Sequence, residues 1–251
     1  MLNKKITVLL LIIACGFSIY SINLFAGGAF GTVVSLTGSV FNEVNKEPLT
    51  INMKLYDSNG KRVGATRSMA VENGSYYLTG LKAGKEYKIE ISKKGFFKEI
   101  FKIKVPDTDK YLEVSRDFLV KPLKKGIQIP MPVAPFELRK SKLRYGADIF
   151  INDMVESLIN NPSVSVEIKS YPDAELSQKD ALSLTEQRSK ALQDFFISSG
   201  IEPSRVTASG SKSIDPKNPV PTEKQAKGKR YIGKSYLVIK DFDPRAHMKK
   251  R

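Results

Sequence analysis

Two oppositely charged residues, Asp173 and Arg188, stand 15 positions apart in the stretch VSVEIKSYPDAELSQKDALSLTEQRSKALQDFF, residues 164–196. At about 100° per residue, Ala181, Leu184, Ala191, Leu192 and Phe195 gather on one helical face. Glu186, Gln187, Lys190, Gln193 and Asp194 take the other. Arg188 falls near the middle of the apolar stripe. A guanidinium there needs an anion or water, because burying it unpaired costs several kcal/mol. Asp173 is the nearest carboxylate in sequence able to meet it. Such a pair has two uses: recognising a charged ligand, or neutralising itself inside the domain.

The elements that must position this pair can be read around it. Val164, Val166 and Ile168 alternate with Ser165, Glu167 and Lys169, which predicts a strand ending near Asp173. A polar turn and a helix follow, with Gly200 at a C-cap position. Upstream, Leu143, Ala147, Phe150, Met154, Val155 and Leu158 predict a helix from about Lys142 to Asn160, stopped by Asn161-Pro162. Downstream, Ile201–Gly210 is a turn leading into a strand. A polar loop then spans 211–228, and a last strand runs from Tyr231 to Ile239. The expected order over 136–240 is βαβαββ, an α+β unit with two helices on one face of a mixed sheet. Residues 241–251 form a basic tail.

Residues 36–120 read differently. LTGSVFN, INMKLYD, GSYYLTGL, EYKIEISK and EIFKIKVP each alternate apolar with polar residues. Asp57-Ser58-Asn59-Gly60 and Glu72-Asn73-Gly74 are hairpin-type turns between them. The expectation is an all-β antiparallel sandwich, so the chain has two domains. Residues 121–135, KPLKKGIQIPMPVAP, form a semi-rigid connector in which 127–133 can add an edge strand.

Composition removes several kinds of chemistry. The 251 residues include one histidine, His247, and one cysteine, Cys15. A hydrolytic triad, a histidine-rich zinc site and an intrachain disulfide are therefore not expected, and no cofactor or metal is implied. The net charge of +15 is spread along the chain: 17 Lys/Arg against 11 Asp/Glu over 27–124, and 22 against 15 over 125–251. A nucleic-acid binder concentrates such charge, so no nucleic-acid partner is expected. A broadly basic surface suits anionic lipid head groups or a cell-wall polymer.

The amino terminus, residues 1–28, reads as an export signal: Lys4 and Lys5 precede the apolar run ITVLLLIIA. It supports three fates. Removal as a signal peptide near Ala26–Gly28 is the favoured one, releasing a periplasmic protein. Lipidation at Cys15, within Ile12-Ile13-Ala14-Cys15, comes second. An uncleaved anchor over Ile6–Ala26 is the third, being about the length needed to span a bilayer. The expected location is the periplasm or outer membrane.

Two resemblances add to these readings. Gly38-x-Val40, Pro48, Leu55, Gly74-Ser75-Tyr76-Tyr77-Leu78, Leu81-x-x-Gly84-x-x-Tyr87-x-Ile89 and Lys94-Gly95-Phe96 resemble the carboxypeptidase regulatory-like domain. That family has a transthyretin-like sandwich and serves as an accessory module. Tyr76, Tyr77, Phe96 and Phe97 are either a sugar-stacking surface or, as alternation requires, divided between core and rim.

The second set is Pro162…Val166-x-Ile168-x-x-x-x-Asp173, Leu182-x-Leu184-Thr185-x-x-Arg188-Ser189, Gly200-Ile201-x-Pro203-Ser204-Arg205-Val206 and Ser209-Gly210. It resembles an OmpA C-terminal-like domain. The resemblance implies non-covalent, non-enzymatic binding of peptidoglycan through the diaminopimelate side chain of the stem peptide. Asp173 would accept the ligand's ammonium and Arg188 would clamp its carboxylate. Backbone N–H groups near the helix start would add favourable dipole. The chain departs from the family pattern at Tyr171-Pro172, where the family has His-Thr. It departs again at Leu176, where the family has glycine, and at Asp180-Ala181, where it has Tyr-Asn. Gly233-Lys234-Ser235 stands for Asn-Arg-Arg, leaving Lys234 as the one cation carried over. The implied function is an envelope protein that binds peptidoglycan and tethers the sandwich, with membrane association through the N-terminus. The alternative is a structural subunit of an outer-membrane assembly, with a decayed wall site and outer-membrane protein partners.

Overall fold

The computed structural model describes residues 33–222 and 230–246. The readings of residues 1–28, including Cys15 and the span Ile6–Ala26, lie outside the described residues, as does His247. No helix among the described residues is long and apolar enough to cross a membrane.

The chain forms a β-sandwich followed by an α+β unit. In the sandwich, β1 (Val33–Asn42), β4 (Ser75–Lys82), β7 (Leu112–Ser115) and β8 (Phe118–Val120) make one sheet, with β1 pairing the other three. The facing sheet has the order β3-β2-β5-β6, from β2 (Asn52–Asp57), β3 (Arg62–Arg67), β5 (Glu86–Ser92) and β6 (Glu99–Lys104). Alternation supplies the core: Met53 and Leu55 of β2, and Tyr87, Ile89 and Ile91 of β5, pack against Val34, Leu36, Leu78 and Phe118. One feature departs from the antiparallel expectation, since β7 and β8 run parallel to β1. Tyr76 is buried and Tyr77 exposed, as strand alternation divides them, and in the turn between β5 and β6 Phe97 is buried and Phe96 half-buried.

The α+β unit begins with β9 (Gln128–Pro130), inside the stretch expected as connector. It continues through α1 (Ala147–Asn160), β10 (Ser165–Ser170), α2 (Gln178–Ser198), β11 (Val206–Gly210) and β12 (Ser235–Asp241). The sheet order is β11-β10-β12-β9, with β10 and β11 parallel and the other pairs antiparallel. Val166 and Ile168 of β10 and Leu237 and Ile239 of β12 meet Met154, Val155 and Leu158 of α1 and Leu192 and Phe196 of α2. Both helices therefore cover one face. On the other, Tyr171 packs edge-to-face against Tyr236 with ring centres 5.7 Å apart.

The first helix starts at Ala147 rather than near Lys142, because Gly146 precedes it at φ 75°, a left-handed conformation that a helix cannot include. The register of its buried face also differs. Ile151 is buried where Phe150, expected in the core, is 42% exposed. At the helix end, Arg205 donates from Nε to the Val164 carbonyl and from Nη2 to the carbonyls of Leu158 and Asn161, at 2.8–3.0 Å. That guanidinium satisfies acceptors left open by the helix terminus.

The two units share packing. Phe97 and Leu123, which follow from sandwich strands, belong to the apolar cluster of the α+β unit. Asn161 clasps the backbone of Lys98, accepting its N–H at 3.0 Å and donating to its carbonyl at 2.9 Å. Beside them lies an ionic cluster. Lys121 Nζ sits 2.6 Å from Asp153, 3.3 Å from Glu43 and 3.5 Å from Glu99, and Ser157 donates to Glu99 at 2.8 Å.

Candidate ligand site at a buried carboxylate–guanidinium pair

The site is built by three segments converging on the end of β10. Asp173 lies three residues beyond that strand. Arg188 sits midway along α2, whose buried stripe is Ala181, Thr185, Arg188, Ser189, Leu192 and Phe196. Of the expected stripe, Ala181 and Leu192 are buried, whereas Leu184, Ala191 and Phe195 are half-buried at its edge. Polar residues explain the rotation. Thr185 donates to the Ser211 carbonyl at 3.0 Å and Ser189 to the Ser209 carbonyl at 2.6 Å, so hydroxyls fasten α2 to the end of β11. A criterion of apolarity passes over such residues.

Asp173 and Arg188 meet in a two-pronged pair, Nη1 to Oδ1 at 2.7 Å and Nη2 to Oδ2 at 2.9 Å. Both side chains are fully buried. Each carboxylate oxygen takes one more hydrogen bond, Oδ1 from the Gly233 N–H at 2.9 Å and Oδ2 from the Arg139 N–H at 2.6 Å. Arg188 donates its Nε to the Lys140 carbonyl at 2.9 Å and Nη2 to the Glu137 carbonyl at 3.0 Å. Its guanidinium carbon stands 5.3 Å from the centre of the buried Phe136 ring. The segment from Glu137 to Lys140 is thus a strap over the pair, bonded to it through backbone groups. Charge-assisted bonds of this kind are about twice as strong as neutral ones, and they offset the cost of taking both charges out of water.

Gly233 is the donor that side-chain reasoning misses. A Cβ there would lie 2.0 Å from the Tyr171 carbonyl oxygen, so only glycine lets β12's approach come close enough to deliver its N–H. The Tyr171 N–H in turn bonds the Lys234 carbonyl at 2.9 Å, locking the two segments side by side. Lys234 itself is exposed. It flanks the site through its neighbour and has no recorded contact with the pair.

The start of α2 is capped within its own first turn. Ser177 caps it, accepting the Asp180 N–H at 3.1 Å, and Asp180 stands in the first turn. Arg188 lies ten residues further on, about 15 Å along the axis at 1.5 Å per residue. A second buried acid, Asp215, accepts the Tyr236 hydroxyl on the opposite sheet face, and burial together with that carboxylate pushes the phenol's pKa up. Nothing in the spacing of positions 215 and 236 announces that contact. No group of three or more His, Cys, Asp or Glu positioned for a metal occurs among the described residues.

No protein-family model matches the chain. A curated protein, the photosystem I P700 chlorophyll a apoprotein A2 of Gloeobacter violaceus, is 31% identical over 107 residues, 42% of this chain. The chain spans only 12% of that relative's length. Among solved structures, the peptidoglycan-associated lipoprotein from Burkholderia pseudomallei is similar at a TM-score of 0.36 and 14% identity, covering 43% of this chain and 88% of that one. The OmpA-like domain of FopA1 from Francisella tularensis is similar at a TM-score of 0.32 and 14% identity, covering 47% and 83%. At these scores the functional reading rests on the chain's own residues.

Proposed function

We propose that this protein is a non-enzymatic component of the bacterial cell envelope that associates with peptidoglycan through its α+β unit and carries the sandwich as an accessory module. The observation that carries the reading is the Asp173–Arg188 pair, a strand-end carboxylate and a mid-helix guanidinium with two backbone N–H groups aimed at the same carboxylate. By the sequence resemblance to an OmpA C-terminal-like domain, they would read the diaminopimelate end of a stem peptide.

Recognition at a site built this way is an exchange. The ligand's ammonium binds Asp173 in place of the Arg139 N–H, and its carboxylate takes the Arg188 donors now given to Glu137 and Lys140. All three displaced partners belong to the strap, so binding is coupled to lifting residues 137–140. Lys234, exposed beside the site, adds a positive charge for the wall's carboxylates.

The complete burial of both side chains favours a second reading. In it the pair only fastens the strap, and the unit serves as a scaffold in an outer-membrane assembly. Co-sedimentation of the whole protein with purified sacculi separates the two. The first reading predicts pelleting that is weakened by Asp173→Asn in protein shown by circular dichroism to be folded. Equal pelleting by that folded variant would contradict the Asp173 site, and no pelleting by the unsubstituted protein, with a protein partner recovered on cross-linking, would favour the scaffold reading.

A further inference from the structure

We propose that a groove at the seam between the sandwich and the C-terminal segment binds a phosphate monoester carried on an apolar body. The groove has a volume of about 550 Å³, within the range of roughly 300–1,000 Å³ usual for small-molecule sites.

Its polar wall is set by strand register. Asn52 of β2 lies opposite Arg67 of β3 on one side and Ser92 of β5 on the other. Residues directly opposite in an antiparallel ladder point to the same face, with Cβ atoms roughly 4.5–5.5 Å apart. A guanidinium, an amide and a hydroxyl therefore form one row across three strands. Lys93 and Lys94 follow at once in the turn after β5, and both line the groove.

Among the described residues no Asp or Glu lines this groove, and no ion pair includes Arg67, Lys93 or Lys94. The Lys93 ammonium stands 5.7 Å from the centre of the Phe96 ring. Asp243, next in sequence to the lining residue Phe242, faces Arg245 at 3.8 Å. Three cationic residues thus border a space with no anionic residue among its described lining. The floor is of another kind: buried Ile51 and Leu123, with Phe242 and Pro244 closing the C-terminal side.

Three cations and two neutral donors exceed what the two oxygens of one carboxylate can use. A phosphate monoester offers three terminal oxygens and a charge of about −1.5 to −2, and a guanidinium engages two of those oxygens at once. The apolar floor calls for a ligand with an apolar body. A lipid head group and a soluble phosphorylated metabolite share this chemistry.

Titration of the whole protein with monomeric dihexanoyl phosphatidic acid, with inorganic phosphate and with dihexanoyl phosphatidylcholine tests the site. Saturable binding of the phosphatidic acid is expected, with weaker binding of inorganic phosphate and none of the phosphatidylcholine. Arg67→Ala and Lys94→Ala, both exposed and remote from the cores, should each weaken phosphatidic acid binding roughly tenfold. Phe242→Ala should weaken phosphatidic acid but not inorganic phosphate, and Lys88→Ala, an exposed lysine elsewhere on β5, should change neither. Sedimentation with phosphatidylcholine vesicles containing phosphatidic acid then assigns a membrane source, and its failure beside binding of the monomer assigns a soluble one. No saturable binding of the phosphatidic acid, or equal losses in Lys88→Ala and Lys94→Ala, would overturn the proposal. Asp173→Asn leaves this binding intact, so its outcome is independent of the wall-binding reading.

Discussion

At the scale of single residues, Arg188 and Asp173 are each costly to bury and are tolerable only together. Removing one partner leaves the other charged, buried and unpaired, which costs about 3–5 kcal/mol. Arg188→Ala and Asp173→Ala should each lose that much in urea denaturation. The double variant Asp173→Leu/Arg188→Met should lose clearly less than the sum of the two single losses. Additive losses would mean that the two charges do not depend on each other. Gly233→Ala should be destabilising by about 1–3 kcal/mol, because its Cβ would overlap the Tyr171 carbonyl. The pair was legible in the sequence because a guanidinium in an apolar stripe is conspicuous. Its backbone partners at residues 137, 139, 140 and 233 were not, since a carbonyl or N–H leaves no mark on residue type.

At the scale of elements, the ends of α1 and α2 and the junction between units set the positions that matter. Ser177→Ala should cost about 1 kcal/mol, because it removes the oxygen that accepts the Asp180 N–H at the start of α2. The junction carries a pH dependence. Burial pushes the Glu99 carboxyl up to about 7, against the pull of Lys121, and burial raises Glu43 as well. Lys121 stays charged, because although burial acts to lower its pKa, Glu99, Glu43 and Asp153 together raise it.

A carboxyl with a folded pKa above its unfolded value stabilises fully below the unfolded value, near 4.3, and loses that contribution as pH rises through 7. The Tm of the unsubstituted protein relative to Glu99→Gln should therefore fall between pH 4.5 and 7.5. A difference that stays flat or rises would contradict the assignment. The helices, β10 and β12 were legible from periodicity and the turn residues. The α2 face was not fully so, because Thr185 and Ser189 are buried for their hydroxyls. The Lys121 cluster was hidden because its members lie on β6, α1, the turn after β1 and the connector, and only the fold assembles them.

At the scale of the whole molecule, a basic two-unit protein carries the Asp173–Arg188 pair in its α+β unit. The groove proposed for a phosphate lies along the seam. Phe97 and Leu123 insert into the α+β core and Asn161 clasps Lys98, so the units should unfold together in calorimetry. Lys121→Met leaves Glu43, Glu99 and Asp153 without their cation and should separate that single transition into two. One transition in both proteins would show that the units stay coupled without the Lys121 ion cluster.

The most direct test of the wall-binding claim is competition for sacculi by soluble stem tripeptides ending in diaminopimelate or in lysine. These differ in the carboxylate that Arg188 would clamp. The account predicts that the diaminopimelate peptide releases the bound protein and that the lysine peptide does so far more weakly. Equal release by the two, or release by neither, would contradict it.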